Sequence, residues 1–421
     1  MERLVKGFLT FFKKMVAIMN KVCVYGLGYI GLPTALLLAD SNFKVIGVDT
    51  NLSVVESVNK AHVHITEKGL DTLLKTAVLN KRLIAQETPK EADVHIICVP
   101  TPFSLDDNGY KSDIRFVESA IHNIAKVFRE GDLLILESTV PVGTSAKLET
   151  ILRQERPDLS RVDIVYCPER VLPGNLLYEL QNNDRIIGGN SFDTVQRVQR
   201  FYEKFVSGKI HKTNLPTAEL SKLIENSYRD VNIAFANELS MICDNQGIDV
   251  YELIELVNKH PRVSVLQPGI GVGGHCIAVD PWFIVEHDRK NSQLIRLARE
   301  RNLYKTKFIL EKTLKEIHSS KTKHGIEPSI GFLGLSYKPD IDDLRESPAV
   351  AIVREVQKNY SDVCVSDPNI QDSKEFKLMT INQVMNNCHL IFGLVAHREF
   401  KEAALSKDFD RSKFIDFCGI T

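Results

Sequence analysis

A short apolar run closed by three spaced glycines, a helical pattern of about thirty residues near the middle, and a fresh strand–helix alternation beyond residue 329 predict an α/β chain. The expected architecture is two Rossmann-like, doubly wound domains joined by a long central helical segment. Val22–Tyr25 is apolar and runs into Gly26, Gly28 and Gly31. The apolar stretch Pro33–Ala39 and the run Lys44–Val48, ending at Asp49, complete strand, turn, helix and strand. Further strands are predicted at His95–Val99, Leu133–Leu136 and Asp163–Tyr166, with helical stretches between them, which implies a parallel sheet covered on both faces. Pro216, Thr217 and Glu219 supply a helix start. Leu220, Ile224, Val231, Phe235, Leu239 and Ile242 then recur at helical spacing until Gly247. A helix of that length spans between domains or builds a subunit interface. A second helical pattern covers Ser292–Ile317, and the polar stretch Ser319–Glu327 reads as a linker. Ile330–Leu335, Val363–Ser366, Ile391–Val395 and Lys413–Asp416 read as strands, and Asp367 repeats the strand-end acid first met at Asp49.

Composition narrows the function. The chain has 421 residues, 53 Lys+Arg against 54 Asp+Glu, and a net charge of −1, which argues against a general nucleic-acid binder. With 43% hydrophobic and 25% charged residues it has the mix of a globular protein with sizeable cores. Eight cysteines stand singly and no pair has CxxC spacing, so neither a metal site nor a disulfide scaffold is expected, and reduced thiols in the cytoplasm are the plain reading. Lys13 and Lys14 interrupt the apolar start, leaving Gly7–Phe12 far short of the ~20 residues a membrane span needs. Residues 1–19 are therefore expected to be an extension rather than a span, with a weak amphipathic surface anchor as the alternative.

The run Gly26-Leu27-Gly28-Tyr29-Ile30-Gly31 is G-x-G-x-x-G. In such a turn the first glycine allows the bend, the second lets backbone N–H groups approach a pyrophosphate, and the third lets helix and strand pack closely. Asp49 stands 21 residues beyond Gly28, where a ribose-binding carboxylate is expected. A carboxylate there repels a 2′-phosphate, which favours NAD over NADP. Val99–Pro102, with Thr101, and Glu137–Thr139 each end a predicted strand and so face the ligand crevice; turn chemistry alone is the bland alternative. Three glycines crowd Gly271-Val272-Gly273-Gly274-His275-Cys276, and Asp280 follows. A buried cysteine is usually a small hydrophobe, but this flanking sequence suits a thiolate served by nearby N–H dipoles. Lys222, Asn226 and Arg229 share one face of the long helix, either as an oxyanion-stabilising set or as a solvated polar face. Glu169 follows Cys167-Pro168 beyond a strand, a suitable place for a general base. His260, Arg262, Lys338 and Arg345 add cations that suit diphosphate groups, though each alone is more often surface charge.

Together these segments resemble the UDP-glucose/GDP-mannose dehydrogenase family from about Asn20 to the C-terminus. The resemblance rests on residues 26–35 (GLGYIGLPTA), 135–144 (ILESTVPVGT), 166–175 (YCPERVLPGN), 226–239, 260–263 (HPRV) and 271–285 (GVGGHCIAVDPWFIV). It implies an N-terminal extension (1–19), an NAD-binding Rossmann domain (20–212), a central helical dimerisation and catalytic segment (213–318) and a UDP-sugar-binding Rossmann-like domain (319–421). It further implies a four-electron oxidation of the sugar C6 alcohol by NAD, with the intermediate aldehyde held on Cys276 as a thiohemiacetal and then a thioester. By the same resemblance Lys222 and Asn226 stabilise the oxyanion, Asp280 and Thr139 organise water and protons, and Glu169 is the hydrolytic base. Gly26, Gly28, Tyr29, Ile30, Gly31, Asp49, Thr101 and Thr139 are implied for NAD. Arg170, Val171, Lys222, Asn226, Arg229, His260, Arg262, Gly273, Lys338 and Arg345 are implied for the nucleotide sugar, in a homodimer or larger homo-oligomer with sites completed across the interface. UDP-glucose members carry a second acid where this chain has Pro173, which points to UDP-N-acetyl-D-mannosamine as substrate, with its gluco epimer or UDP-glucose as alternatives. A two-electron 3-hydroxyacid dehydrogenase and a non-catalytic nucleotide-sugar sensor are the readings from other classes.

Overall fold

The computed structural model describes residues 19–65, 67–106, 109–171, 174–407 and 409–421. The extension before Met19 and Pro173 lie outside the described residues. The chain divides into two compact units, Met1–Leu223 and Ile224–Thr421, and the division falls inside the helix Leu215–Gln246. No described helix is long and apolar enough to cross a membrane.

The first unit is built on eight strands: β1 (Lys21–Tyr25), β2 (Lys44–Val48), β3 (Leu83–Gln86), β4 (Val94–Ile97), β7 (Leu133–Leu136), β8 (Asp163–Tyr166), β9 (Arg185–Gly189) and β10 (Ile210–Asn214). The two intervening strands, β5 (Phe103–Asp106) and β6 (Gly109–Ser112), form a separate hairpin. The sheet order is β10-β9-β8-β7-β4-β1-β2-β3. From β1 the chain steps outward through β2 and β3, then returns to lay β4 on the other side of β1. That reversal opens a crevice at the carboxyl ends of β1 and β4, the usual ligand site of such sheets. Alternate residues feed two cores. Val22, Val24, Val45 and Ile96 join the helices Gly31–Asp40 and Phe192–Tyr202 on one face. Cys23, Tyr25, Ile46 and Ile97 join Arg115–Ala125 and Thr144–Glu155 on the other. Burial on both faces explains the continuous apolar runs of these strands. One pair departs from the expected all-parallel sheet, since β8 and β9 run antiparallel through two residues each.

The second unit carries a four-stranded parallel sheet, order β12-β11-β13-β14, from β11 (Ile330–Leu333), β12 (Val363–Ser366), β13 (Leu390–Gly393) and β14 (Phe414–Asp416). It too reverses direction next to its first strand. The expected linker at Ser319–Glu327 is corrected. The helix Gln293–His324 runs through most of it and ends at Gly325 in a left-handed cap with φ 70°. Polarity there marks a solvated helix end, with Lys321, Lys323 and His324 matching the helix dipole, not an irregular segment. Helix Gln293–His324 is locked to the later part of Leu215–Gln246 by a buried polar set. Arg299 pairs with Asp230 at 2.5 Å, Asn302 donates to the same carboxylate, and Lys305 donates to Ser240.

Candidate active site

In the first unit the glycine turn is built as its sequence requires. Gly26 has φ +87° and donates its N–H to the Val48 carbonyl at 2.8 Å; a Cβ on it would lie 2.7 Å from the Cys98 oxygen. A Cβ on Gly31 would run into the Gly26 carbonyl. Gly28 differs: among the described residues other than its chain neighbours, no atom lies within 4 Å of where its Cβ would point. Packing gives no reason for glycine there, but the close approach of a diphosphate does, so the cradle fits NAD. Tyr29 and Ile30 are half-buried beside it and lead into the helix Gly31–Asp40. Asp49 sits at the end of β2, half-buried, and accepts N–H groups from Leu27 (2.8 Å) and Asn51 (2.9 Å). The Ser138 hydroxyl donates to the Val99 carbonyl at 2.8 Å, which ties the Thr101 turn to the Thr139 turn.

Lys222, one-sided on the long helix, is brought to Glu169. Its Nζ donates to the Glu169 carbonyl (2.8 Å) and to Oε1 (3.0 Å), and both side chains are largely buried. The other carboxylate oxygen of Glu169 accepts the Val171 N–H at 3.0 Å, which fixes the residues after it. Arg170 donates to the Asp184 carbonyl at 3.3 Å.

In the second unit the cysteine loop meets a helix start. The Cys276 carbonyl accepts the N–H of Asp280 at 2.8 Å, and Asp280 opens the helix Asp280–His287. Asp280 is buried and accepts Asn226 Nδ2 at 2.5 Å. The glycines before Cys276 let another loop come close. Gly274 donates to the Arg345 carbonyl at 3.0 Å, and a Cβ on Gly273 would strike the Glu346 carbonyl and lie 2.8 Å from Tyr337 Cβ. Arg345 is thereby brought alongside the Cys276 loop, and Lys338 follows Tyr337 in the same segment. Arg345 lies within electrostatic reach of Cys276, although its pKa is raised first by its hydrogen bonds to Asp343. Burial resists ionisation of Asp343, yet those same bonds hold its carboxyl below the usual range. Arg229, His260 and Arg262 are exposed.

The thiols separate by environment. Burial pushes Cys23 up to about 11 and drives Cys98 and Cys167 upward, whereas Cys276 is half-buried beside a cation and a helix start.

Several residues organise these groups through contacts that the sequence does not reveal. Glu137, between β7 and Thr139, is buried; it accepts Tyr202 OH at 2.6 Å and Cys98 Sγ at 3.3 Å, with Arg185 at 3.6 Å. His64 hydrogen-bonds the Leu27 carbonyl at 2.8 Å, and Glu67 accepts the N–H groups of Gly174 (2.9 Å) and Leu176 (3.0 Å). Glu219 accepts from Gly143 and Ser145. Each such contact joins distant segments, so no local spacing betrays it.

Three domain descriptions of the UDP-glucose/GDP-mannose dehydrogenase family match the chain in order: its NAD binding domain over 20–206, its central domain over 216–304 and its UDP binding domain over 331–421. The UDP-N-acetyl-D-mannosamine dehydrogenase of Campylobacter jejuni is 47% identical over 416 residues, covering 95% of this chain and 99% of that protein. The NDP-N-acetyl-D-galactosaminuronic acid dehydrogenase of Ralstonia solanacearum is 46% identical over 395 residues, covering 90% and 92%. Among solved structures, the UDP-D-ManNAc dehydrogenase of Pyrococcus horikoshii aligns with a TM-score of 0.85 at 37% identity, covering 95% of this chain and 96% of that one. With the glycine turn, the strand-end carboxylate and these matches in agreement, the chain is an NAD-dependent oxidoreductase and belongs to the UDP-glucose/GDP-mannose dehydrogenase family.

Proposed function

We propose that this enzyme oxidises UDP-N-acetyl-D-mannosamine at C6 to UDP-N-acetyl-D-mannosaminuronate, four electrons per sugar. The observation that carries the reading is the 47% identity, across 95% of the chain, to an enzyme named for that substrate. NAD, when bound, supplies the hydride acceptor, used twice per sugar. The protein's residues do the rest. Cys276 Sγ bonds to C6 of the first-formed aldehyde, so that the reactive carbonyl does not escape between oxidations. The second oxidation leaves a thioester, and water oxygen then replaces sulfur at C6, giving the carboxylate and regenerating the thiol. Glu169 takes the proton of that water; its ion pair with Lys222 keeps its carboxylate aimed. Lys222 and Asn226 offer N–H donors to the oxyanion at C6, and the buried Asp280 orients the Asn226 amide. Thr139 and Asp280 organise the proton and water traffic. Gly26, Gly28, Tyr29, Ile30, Gly31, Asp49 and Thr101 hold NAD, and Arg170, Val171, Arg229, His260, Arg262, Gly273, Lys338 and Arg345 hold the nucleotide sugar.

The assembly we propose is a homodimer. Ile224, Tyr228, Phe235 and Ile242 form an apolar stripe along the helix Leu215–Gln246, and are 45%, 69%, 59% and 47% exposed, which supports a second copy covering them. A catalytic thiol must stay reduced, which supports a cytoplasmic setting.

The test is NADH formation with a panel of UDP-sugars, including the gluco and galacto N-acetyl epimers and UDP-glucose. Two NADH per sugar are expected, with kcat/KM for UDP-N-acetyl-D-mannosamine at least about a hundred-fold above UDP-glucose, because a site shaped for the C2 amide leaves polar groups unpaired against a hydroxyl. Comparable values for those two sugars would overturn the substrate while leaving the family intact.

A further inference from the structure

We infer that Glu219 is a positioning residue for the reaction proposed above, setting the register between the Thr139 turn and the helix that carries Lys222. The observation is geometric. Glu219 is fully buried, yet its two carboxylate oxygens each accept one backbone N–H: Oε2 from Gly143 at 2.6 Å and Oε1 from Ser145 at 2.7 Å. Those N–H groups are that of the N-cap, Gly143, and that of Ser145 in the first turn of the helix Thr144–Glu155, which has no side-chain cap of its own because its N-cap is a glycine. A carboxylate delivered from the helix Leu215–Gln246 therefore takes the place that a local Ser or Asp cap normally fills.

What lies on either side of this clamp gives it a role in the site. Thr139 is four residues before Gly143, joined by Val140, which is buried in the core together with Leu215 and Ala218. Lys222 is three residues after Glu219, on the next turn of the same helix, with its Nζ on Glu169. The apolar contacts of Val140, Leu215 and Ala218 bring the two segments together but do not fix sliding or rotation. A buried carboxylate with one donor per oxygen does, since charge-assisted bonds of this length tolerate little displacement. Glu219 touches neither proton nor hydride; it acts through the placing of Lys222 against Thr139. Displacement of about 1 Å at a reacting group can cost on the order of a hundred-fold in rate.

The experiment is a double-mutant cycle on the full-length enzyme, read as kcat, KM for the UDP-sugar, Kd for NAD and Tm. Glu219→Gln keeps the shape but turns an N–H2 group toward one of the two backbone donors. Its kcat is expected to fall about ten- to a hundred-fold, with KM and the NAD Kd within about three-fold of wild type. In a Lys222→Ala background, followed as single-turnover NADH formation, Glu219→Gln is expected to cost less than about two-fold, because the residue it works through is gone. Glu219→Asp, which keeps the charge but falls short by one methylene, is expected to lie between Gln and wild type, and it carries the test should Glu219→Gln not fold. Equal kcat for wild type and the folded variants, or equal losses in the two backgrounds, overturns the proposal. The reading of the reaction fails separately: a wild-type yield other than two NADH per sugar overturns it whatever the cycle gives.

Discussion

The first turn of each of the two large sheets is built on the same three hydrogen bonds, and the two diverge immediately afterwards. In the first unit Gly26 donates to the Val48 carbonyl, Leu27 to Asp49 Oδ2 and Asn51 to Asp49 Oδ1, at 2.8, 2.8 and 2.9 Å. In the second, Gly334 donates to the Ser366 carbonyl, Leu335 to Asp367 Oδ2 and Asn369 to Asp367 Oδ1, at 2.8, 2.7 and 3.0 Å. Beyond that point Gly31 opens a helix at once, whereas the second unit reaches its helix only at Pro348, capped by Ser347. The intervening loop, with Tyr337 and Arg345, packs on the glycines before Cys276. Asp49 stays half-exposed, while Asp367 is covered and takes two further partners, the Ser336 N–H at 3.1 Å and His397 Nε2 at 3.2 Å. The strand-end acid is thus first a clamp on the turn. Only where it keeps a face to solvent can it also hold a ribose.

The largest test of this contrast lies in the second unit. Cys276→Ala is expected to abolish acid formation, with residual turnover down by more than about a thousand-fold, while NAD titration by fluorescence is unchanged because the glycine turn is in the other unit. A loss of only a few-fold means that the thiol is not the nucleophile. Next comes Asp49→Asn. Its carboxamide must turn an N–H2 toward one of two backbone donors, so the NAD Kd is expected to rise about ten- to a hundred-fold, the worth of a charged hydrogen bond. Asp367→Asn should do the reverse. It leaves the NAD Kd alone and lowers stability by about 2–3 kcal/mol in urea unfolding. An unchanged NAD Kd in the first variant, or a raised one in the second, breaks the distinction between the two acids.

The smallest effect is a pH dependence. Burial favours the protonated acid at Asp367, but His397 and the Leu335 N–H outweigh it and hold the pKa below the usual carboxylate value. A folded pKa below the unfolded one adds stability that is fully present above the unfolded value of ~3.9 and is lost as pH falls through the folded pKa. Acid unfolding below about pH 4 should therefore be shallower in Asp367→Asn than in wild type, measured by circular dichroism. Identical slopes would remove Asp367 from the acid response.

Much of this frame was legible because the strands are buried on both faces and leave unbroken apolar runs. Lys44–Val48, Leu133–Leu136, Asp163–Tyr166 and Val363–Ser366 fall where that pattern puts them. β9 was not legible, since it opens on Arg185, whose charge is buried against Glu137 and the Tyr202 ring. β10 carries His211 and Lys212 at the sheet edge. In the site, the glycine turn and the Gly271–Cys276 loop announce themselves because close backbone approach demands glycine. Glu219, Glu67 and His64 do not, because their partners lie between 37 and 109 residues away.

The order of the first sheet bears on how the chain is made. Among the described strands β1 is the first to leave the ribosome, and it ends up inside the finished sheet, flanked by β2 and β4. Val22 pairs with Val94, 72 residues further along. At synthesis rates of about 5–20 residues per second, its apolar edge waits roughly 4–15 s for that neighbour. During that interval the edge of β1 that β4 will occupy is unpaired and open to pairing with another nascent chain. Heterologous yield of this enzyme is therefore expected to depend on holdase chaperones and on translation speed across residues 26–97, more than on the stability of the folded protein.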